Sequence, residues 1–186
     1  MLKHGILGLL NYGDMTGYEI MTAFRDSLSH FWTAQTSQIY RELQVLEKAG
    51  WIDSSLVEQK NRPDKKVLSI TREGRNELNR WLKEEQPSNV RMPFLLKTFF
   101  RGECSVEENI AFFRALSEHP SAFPNGSEAA VAAAQRYGAV IRDPNRTLFW
   151  KFTIEFGLMY EEMVKQWCEK CIGELEALTG QKTNGI

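Results

Sequence analysis

Two cysteines three positions apart, Cys168 and Cys171, are the residues in this sequence of 186 whose spacing most directly suggests chemistry. A C-x-x-C pair cycles between dithiol and disulfide when its first cysteine sits at a helix N-terminus, where the helix dipole lowers the thiol pKa. Here the pair follows Trp167 well inside a helical pattern, with no strand ahead of it. The spacing therefore predicts packing residues rather than redox catalysis. A structural zinc site wants four ligands, and only Cys104, His4, His30 and His119 remain, scattered along the chain. There is no Gly-rich phosphate loop and no carboxylate pair with a shared context. The expectation is a protein that is not an enzyme and holds no metal or cofactor.

A second group of residues suits recognition rather than catalysis. Lys60, Arg62, Lys65 and Lys66 crowd one short stretch against a single acid, Asp64, although the whole chain has a net charge of only −1. Affinity for a polyanion must then come from local placement of charge. Ser37, Gln38, Arg41, Gln44 and Lys48 form a second set, polar and mostly able to donate hydrogen bonds. A polar outer face is what any amphipathic helix shows, so this set acquires meaning only from the elements around it.

Those elements are legible in outline. Ile6 to Leu10 reads as a short buried helix ending at a turn over residues 11–14. Thr16 opens a second helix, with Glu19 completing a capping box and Tyr18, Ile20 and Phe24 supplying apolar surface. After a break over 28–34, a third helix spans about 35–49, with Ile39, Leu43 and Leu46 inward and Gly50 as its left-handed cap. Trp51-Ile52 reads as a short strand. Leu56 to Gln59 and Lys66 to Ile70 read as two strands around a turn over 61–64, whose tip carries the basic residues. Thr71 caps a fourth helix running through Leu78, Trp81 and Leu82. Helix, helix, helix, hairpin, helix is a winged-helix order.

The fold class expected is mainly α with a small β wing. An N-terminal winged helix-turn-helix (residues 1–86) precedes an α-helical dimerisation domain (residues 87–186), joined through a proline-bearing linker at 86–93. In the second part Ser105 and Glu108 open a helix to about His119, residues 120–126 break the pattern, and an Ala-rich helix follows from Ser127. The last helix, about Asn145 to Leu178, carries Phe149, Phe152, Phe156, Met159, Met163, Trp167 and Cys171 at close to helical spacing, widened by Trp150, Ile154 and Leu158. So apolar a stripe needs a partner surface, and the expectation is a homodimer. No run reaches the ~18 apolar residues of a membrane span. Met1 to Gly5 leads into an apolar helix pattern without a small-residue cleavage site, and an odd cysteine count fits a reducing compartment. A cytoplasmic chain is expected.

Taken together these residues resemble the PadR family of bacterial transcription regulators, and within it the branch of AphA-like virulence activators. The resemblance lies in Ile6-Leu7-Gly8-Leu9-Leu10, Thr16-Gly17-Tyr18-Glu19-Ile20, Phe31-Trp32 and Ser37 to Leu43 with Leu46 and Gly50. It continues in Arg62-Pro63-Asp64-Lys65-Lys66, in Ile70 to Gly74 ahead of Trp81-Leu82, and in Leu96-Lys97 with Phe99-Phe100. It ends in Gly157 through Tyr160-Glu161-Glu162 to Trp167. Residues 120–126 depart from the family's usual long helix. The resemblance implies a homodimeric repressor that grips operator DNA, with each third helix in a major groove and each wing toward a minor groove. Ser37, Gln38 and Arg41 are then candidates for base edges, where Gln and Arg bond adenine and guanine. Tyr18, Tyr40 and the amides near Gln35 and Thr36 are candidates for phosphate, and Arg62, Lys65 and Lys66 for wing contacts. Trp150 and Trp167 are candidates to line a pocket for a small aromatic effector, with an aromatic core as the plainer reading. Two alternatives stand beside this one. The first is a winged helix used for protein contact, which predicts weak, salt-insensitive DNA binding. The second is a thiol redox protein acting through Cys168 and Cys171.

Overall fold

The computed structural model describes residues 1–29, 31–58, 64–85, 91–120 and 127–183, apart from the side chains of 127 and 180–183. Their elements run α1 (Leu2–Leu10), β1 (Met15–Thr16), α2 (Gly17–Ser27), α3 (Thr36–Lys48), β2 (Ile52–Val57), β3 (Lys65–Ile70) and α4 (Arg72–Trp81). Then follow α5 (Pro93–Phe100), a 3-10 turn (Arg101–Glu103), α6 (Val106–Glu118), α7 (Ser127–Ile141) and α8 (Pro144–Thr183). The class is the expected one, mainly helical with a small antiparallel sheet. Two compact units result: Met1–Gln86 with Pro124–Lys151, and Pro87–Phe123 with Phe152–Ile186.

The first unit is built on α1, whose Ile6, Leu7 and Leu10 are fully buried against Ile20 and Phe24 of α2, Ile39 and Leu46 of α3 and Ile52 of β2. Each such side chain contributes ~1.5–3 kcal/mol by leaving water. The capping box read at α2 is present: the Thr16 hydroxyl accepts from the Glu19 amide at 3.2 Å, and the Thr16 amide donates to the Glu19 carboxylate at 2.7 Å. Gly50 has φ +70°, the left-handed turn that stops α3.

Two features of the sheet differ from the sequence reading. The segment after α3 is one strand, Ile52–Val57, not two pieces, because Ser54 and Ser55 pair with Leu68 and Val67 across the ladder. A further strand, β1, pairs Met15 with Leu68 and Thr16 with Val67, giving the order β1-β3-β2. Two residues are too few to show a period, so β1 leaves no local signature.

Residues 127–151 also pack on this first unit, although a division at residue 86 assigns them to the C-terminal part. Tyr137 of α7 lies against the core. Arg136 donates to Asp26 at 2.7 Å, and the Tyr137 hydroxyl reaches the same carboxylate at 3.3 Å. At the start of α8 the Trp150 indole donates to the Tyr12 hydroxyl at 3.1 Å, with the rings edge to face. At the other end of the unit His4 stacks on Trp81 and its Nε2 donates to Glu77 at 3.0 Å. Lys3 and Arg80 also reach Glu77.

The second unit centres on Phe113 of α6 with Val164 and Cys168 of α8, surrounded by Leu116, Tyr160, Trp167, Ile172 and Leu175. Buried Asn109 is satisfied, accepting from Arg101 at 2.7 Å and donating to the Arg101 and Cys104 carbonyls. The Ser105–Glu108 capping box is present as read. Leu96, Phe99 and Phe100 of α5 stay exposed, as do Phe156, Met159 and Met163 of α8. The expected α8 stripe therefore divides. Its Trp167 and Cys171 pack on the unit's own core, whose buried α8 members Val164 and Cys168 lay outside that stripe, and its Phe156, Met159 and Met163 face outward.

Candidate nucleic-acid interface

The site is assembled around α3. Ile39, Leu43 and Leu46 anchor its inner face, which forces Ser37, Gln38, Arg41, Gln44 and Lys48 outward, and all five are exposed. Val45 also points outward, 55% exposed, which the sequence reading missed. The available signal was its absence from the Ile39/Leu43/Leu46 spacing. An exposed valine among donors suits the methyl group of a thymine in a major groove.

At the N-terminus of α3, Gln38 is already engaged. Its Oε1 accepts from the Gln35 amide at 2.9 Å, so only its NH2 group is free to face a ligand. The Thr36 hydroxyl donates to Met21 Sδ at 3.5 Å, tying the helix start to α2. The Gln38 amide closes onto the Gln35 carbonyl at 2.9 Å, which leaves the Thr36 and Ser37 amides at the helix start, and such amides favour anions.

Tyr40 leans over Gly17 at the head of α2. A Cβ on Gly17 would lie 2.9 Å from the Tyr40 ring, so glycine lets the ring sit this close and a larger residue would push it aside. Tyr40 remains partly exposed, and Tyr18, 66% exposed, is not part of the core its helix was expected to serve. The structure thus brings both tyrosines to the α2 N-terminus. Glu19 lies at the same place, its carboxyl held below the usual range by the Thr16 amide and hydroxyl, with Lys65 adding to the effect.

On the wing, β3 alternates. Leu68 and Ile70 face the core, and Lys66 shares their side, while Lys65 lies on the other. Lys66 is not a free cation: its Nζ donates to Glu47 of α3 at 2.9 Å, and the Ser54 hydroxyl of β2 donates to the other oxygen of that carboxylate at 2.5 Å. These bonds, Lys66 first, hold the Glu47 carboxyl below its ordinary range. Glu47 was not singled out from the sequence, because its partners lie on two other elements. Arg62, expected at the wing tip, lies outside the described residues, as does Lys60.

The remaining expectations place as follows. Trp167 packs against Phe113 and Phe94 in the second unit, and Trp150 against Tyr12 in the first. Cys168 is fully buried, and burial pushes both the Cys168 and Cys171 thiols up, away from the thiolate that redox chemistry needs. Among the described residues no group of three or more His, Cys, Asp or Glu side chains is placed to hold a metal. No described helix is long and apolar enough to cross a membrane.

Fold and site define a winged-helix protein whose third helix and wing present hydrogen-bond donors and positive charge. The chain carries a PadR-like regulator domain followed by a virulence-activator C-terminal domain. Residues 6–80 match the model described as the transcriptional regulator PadR-like family, and residues 90–176 match the virulence activator alpha C-terminal model. Over 116 residues it is 38% identical to the negative transcriptional regulator PadR of Bacillus subtilis strain 168, covering 61% of this chain and 64% of that protein. Over 83 residues it is 46% identical to the probable transcriptional regulator Rv1176c of Mycobacterium tuberculosis, covering 45% of this chain and 44% of that protein. Each match spans less than two thirds of the relative's own length.

Among solved structures, Bacillus subtilis PadR in complex with operator DNA superposes with a TM-score of 0.73 at 28% identity, over 94% of this chain and 98% of that one. The same protein in complex with p-coumaric acid gives 0.69 at 28% identity, over 94% and 98%. The Vibrio cholerae virulence activator AphA gives 0.67 at 27% identity, over 96% and 99%. The family and these relatives are transcription regulators, not enzymes.

Proposed function

We propose that this chain is a sequence-specific, DNA-binding transcription regulator that acts as a homodimer in the cytoplasm, as a repressor. The observation that carries the reading is the outward face of α3, where Ser37, Gln38 and Arg41 stand exposed beside the antiparallel wing. An α-helix fits the major groove, and these side chains are the types that bond base edges there. Tyr18, Tyr40 and the Thr36 amide grip phosphate, while the Gln35 amide expected beside them is taken by the Gln38 side chain. Arg62 and Lys65 bring positive charge toward the neighbouring minor groove, with Lys66 beside them but bonded to Glu47 of α3. Support comes from the PadR structure solved with operator DNA.

Residues 1–86 supply the grip and residues 87–186 the dimer. The exposed Phe156, Met159 and Met163 of α8, with Leu96, Phe99 and Phe100 of α5, form apolar surface of the kind that marks a protein interface. A small planar aromatic acid is the effector class proposed, supported by the PadR complex with p-coumaric acid. Trp150 and Trp167, expected to line its pocket, are each engaged in packing and do not by themselves define it.

The test is selection of bound fragments from random duplex DNA, followed by titration of the selected duplex against a scrambled one. Affinity that favours the selected duplex and falls with salt supports the regulator. Weak, salt-insensitive binding to both would favour a winged helix used for protein contact.

A further inference from the structure

We infer that Glu47 is a positioning residue: together with Ser54 it clasps Lys66, holding the wing against the DNA-reading helix and withholding Lys66 from the phosphate backbone. The inference rests on the DNA-binding reading and changes the role of one of its expected contacts.

The geometry is specific. Glu47 lies in the last turn of α3, on the flank beside the sheet. Ser54 and Lys66 occupy neighbouring strands on the sheet face turned toward α3, with Ser54 opposite Leu68 and Leu56 opposite Lys66. Each Glu47 oxygen takes one donor, Lys66 at 2.9 Å and Ser54 at 2.5 Å. One carboxylate on the helix is thus bonded to both strands of the wing.

An isolated surface ion pair is weak and its lysine mobile. Two features set this pair apart. The carboxylate is fixed from a second direction by Ser54, which limits how far Lys66 can take it. Glu47 is also an acidic side chain on the helix that enters the groove. If Lys66 swung away to a phosphate, Glu47 would be left as an uncompensated anion beside a polyanion. Keeping Lys66 on Glu47 cancels that repulsion, so the pair contributes no net charge to the interface. Lys65, on the opposite face of β3, feels the Glu19 carboxylate but carries no such two-point hydrogen-bonded clasp among the described residues, and remains a contributing lysine.

Salt dependence separates the two roles, because log Kobs falls with log salt by about 0.9 for each phosphate neutralised. The experiment measures that slope for the full chain and for Lys65→Met, Lys66→Met and Glu47→Gln on the selected and scrambled duplexes. Amide hydrogen exchange of residues 52–57 and 65–70 is measured alongside. The clasp predicts that Lys65→Met lowers the slope by about 0.9 while Lys66→Met leaves it at the wild-type value. Glu47→Gln releases Lys66 and steepens the slope by about 0.9, and the Glu47→Gln/Lys66→Met double variant returns it to wild type. A purely structural role for Glu47 would not steepen the slope. Both single changes at the clasp should speed exchange in β2 and β3. A slope for Lys66→Met as shallow as that for Lys65→Met would overturn the inference. If the wild-type chain shows no salt-dependent duplex binding, the regulator reading is what fails. Unchanged exchange in both clasp variants would then sink the clasp as well, while faster exchange would uphold the tether alone.

Discussion

Gln38 has two bonding groups, and the structure assigns them different tasks. Its oxygen caps α3 through the Gln35 amide, which leaves the NH2 group to face a base. Gln38→Ala removes both, and should cost ~1–3 kcal/mol of discrimination at the contacted base pair. Gln38→Glu keeps an acceptor for the cap but loses the donors, so melting temperature should hold while discrimination falls. Calorimetry and a base-substituted duplex panel check the pair. If the two variants lose stability alike, the cap assignment is wrong. The cysteines offer a second test at this scale. Replacing Cys168 and Cys171 by Ala should leave sequence recognition within a few-fold of wild type, with ~1 kcal/mol or more lost to the vacated volume. A peroxide-induced change in DNA affinity that vanishes in the double variant would contradict the packing role. Residue types and helical spacing made the outward α3 set and the packing role of buried Cys168 and half-buried Cys171 legible in the sequence. The partner of Lys66 was not legible, because an ion pair with Glu47 depends on how strand and helix are brought together, not on local pattern.

At the scale of elements, the stripe Ile39/Leu43/Leu46, the Thr16 and Ser105 capping boxes and Gly50 each leave a local mark, and each was read correctly. What escaped was held by distant contacts: the two-residue β1 paired to β3, and α7 fixed to α2 through Asp26, Arg136 and Tyr137. The α1–α4 contact is another such case, where the His4 hydrogen bond first, then Arg80 and Lys3, lower the Glu77 carboxyl to about 2. A carboxyl depressed from its ordinary value of 4.5 contributes stability above about pH 4.5, and that contribution is lost as pH falls toward 2. Melting temperature measured against pH for wild type and Glu77→Gln should show a constant gap above that window. The gap should close on acidification through it. A gap that widens toward low pH would contradict the assignment.

For the whole molecule, the wing and the helical C-terminal half both carry motif residues, but the packing of residues 127–151 with residues 1–86 left no local mark. How α8 divides its apolar surface was not legible either, since Phe149, Phe156, Val164 and Cys168 all look alike in a hydrophobic pattern. The structure commits Val164 and Cys168 to the protomer's own core and leaves Phe156, Met159 and Met163 outward. Met159→Glu should therefore leave the fold intact and dissociate the dimer, read by light scattering against circular dichroism. Loss of helicity together with dimerisation would place Met159 in the core instead. The central claim, a dimer that reads DNA with paired third helices, is tested most directly by sedimentation of the chain on its selected duplex. The account predicts a selected sequence with two-fold symmetry, its half-sites about one helical turn apart, occupied by two chains. A single chain per site on a sequence without that symmetry would contradict it.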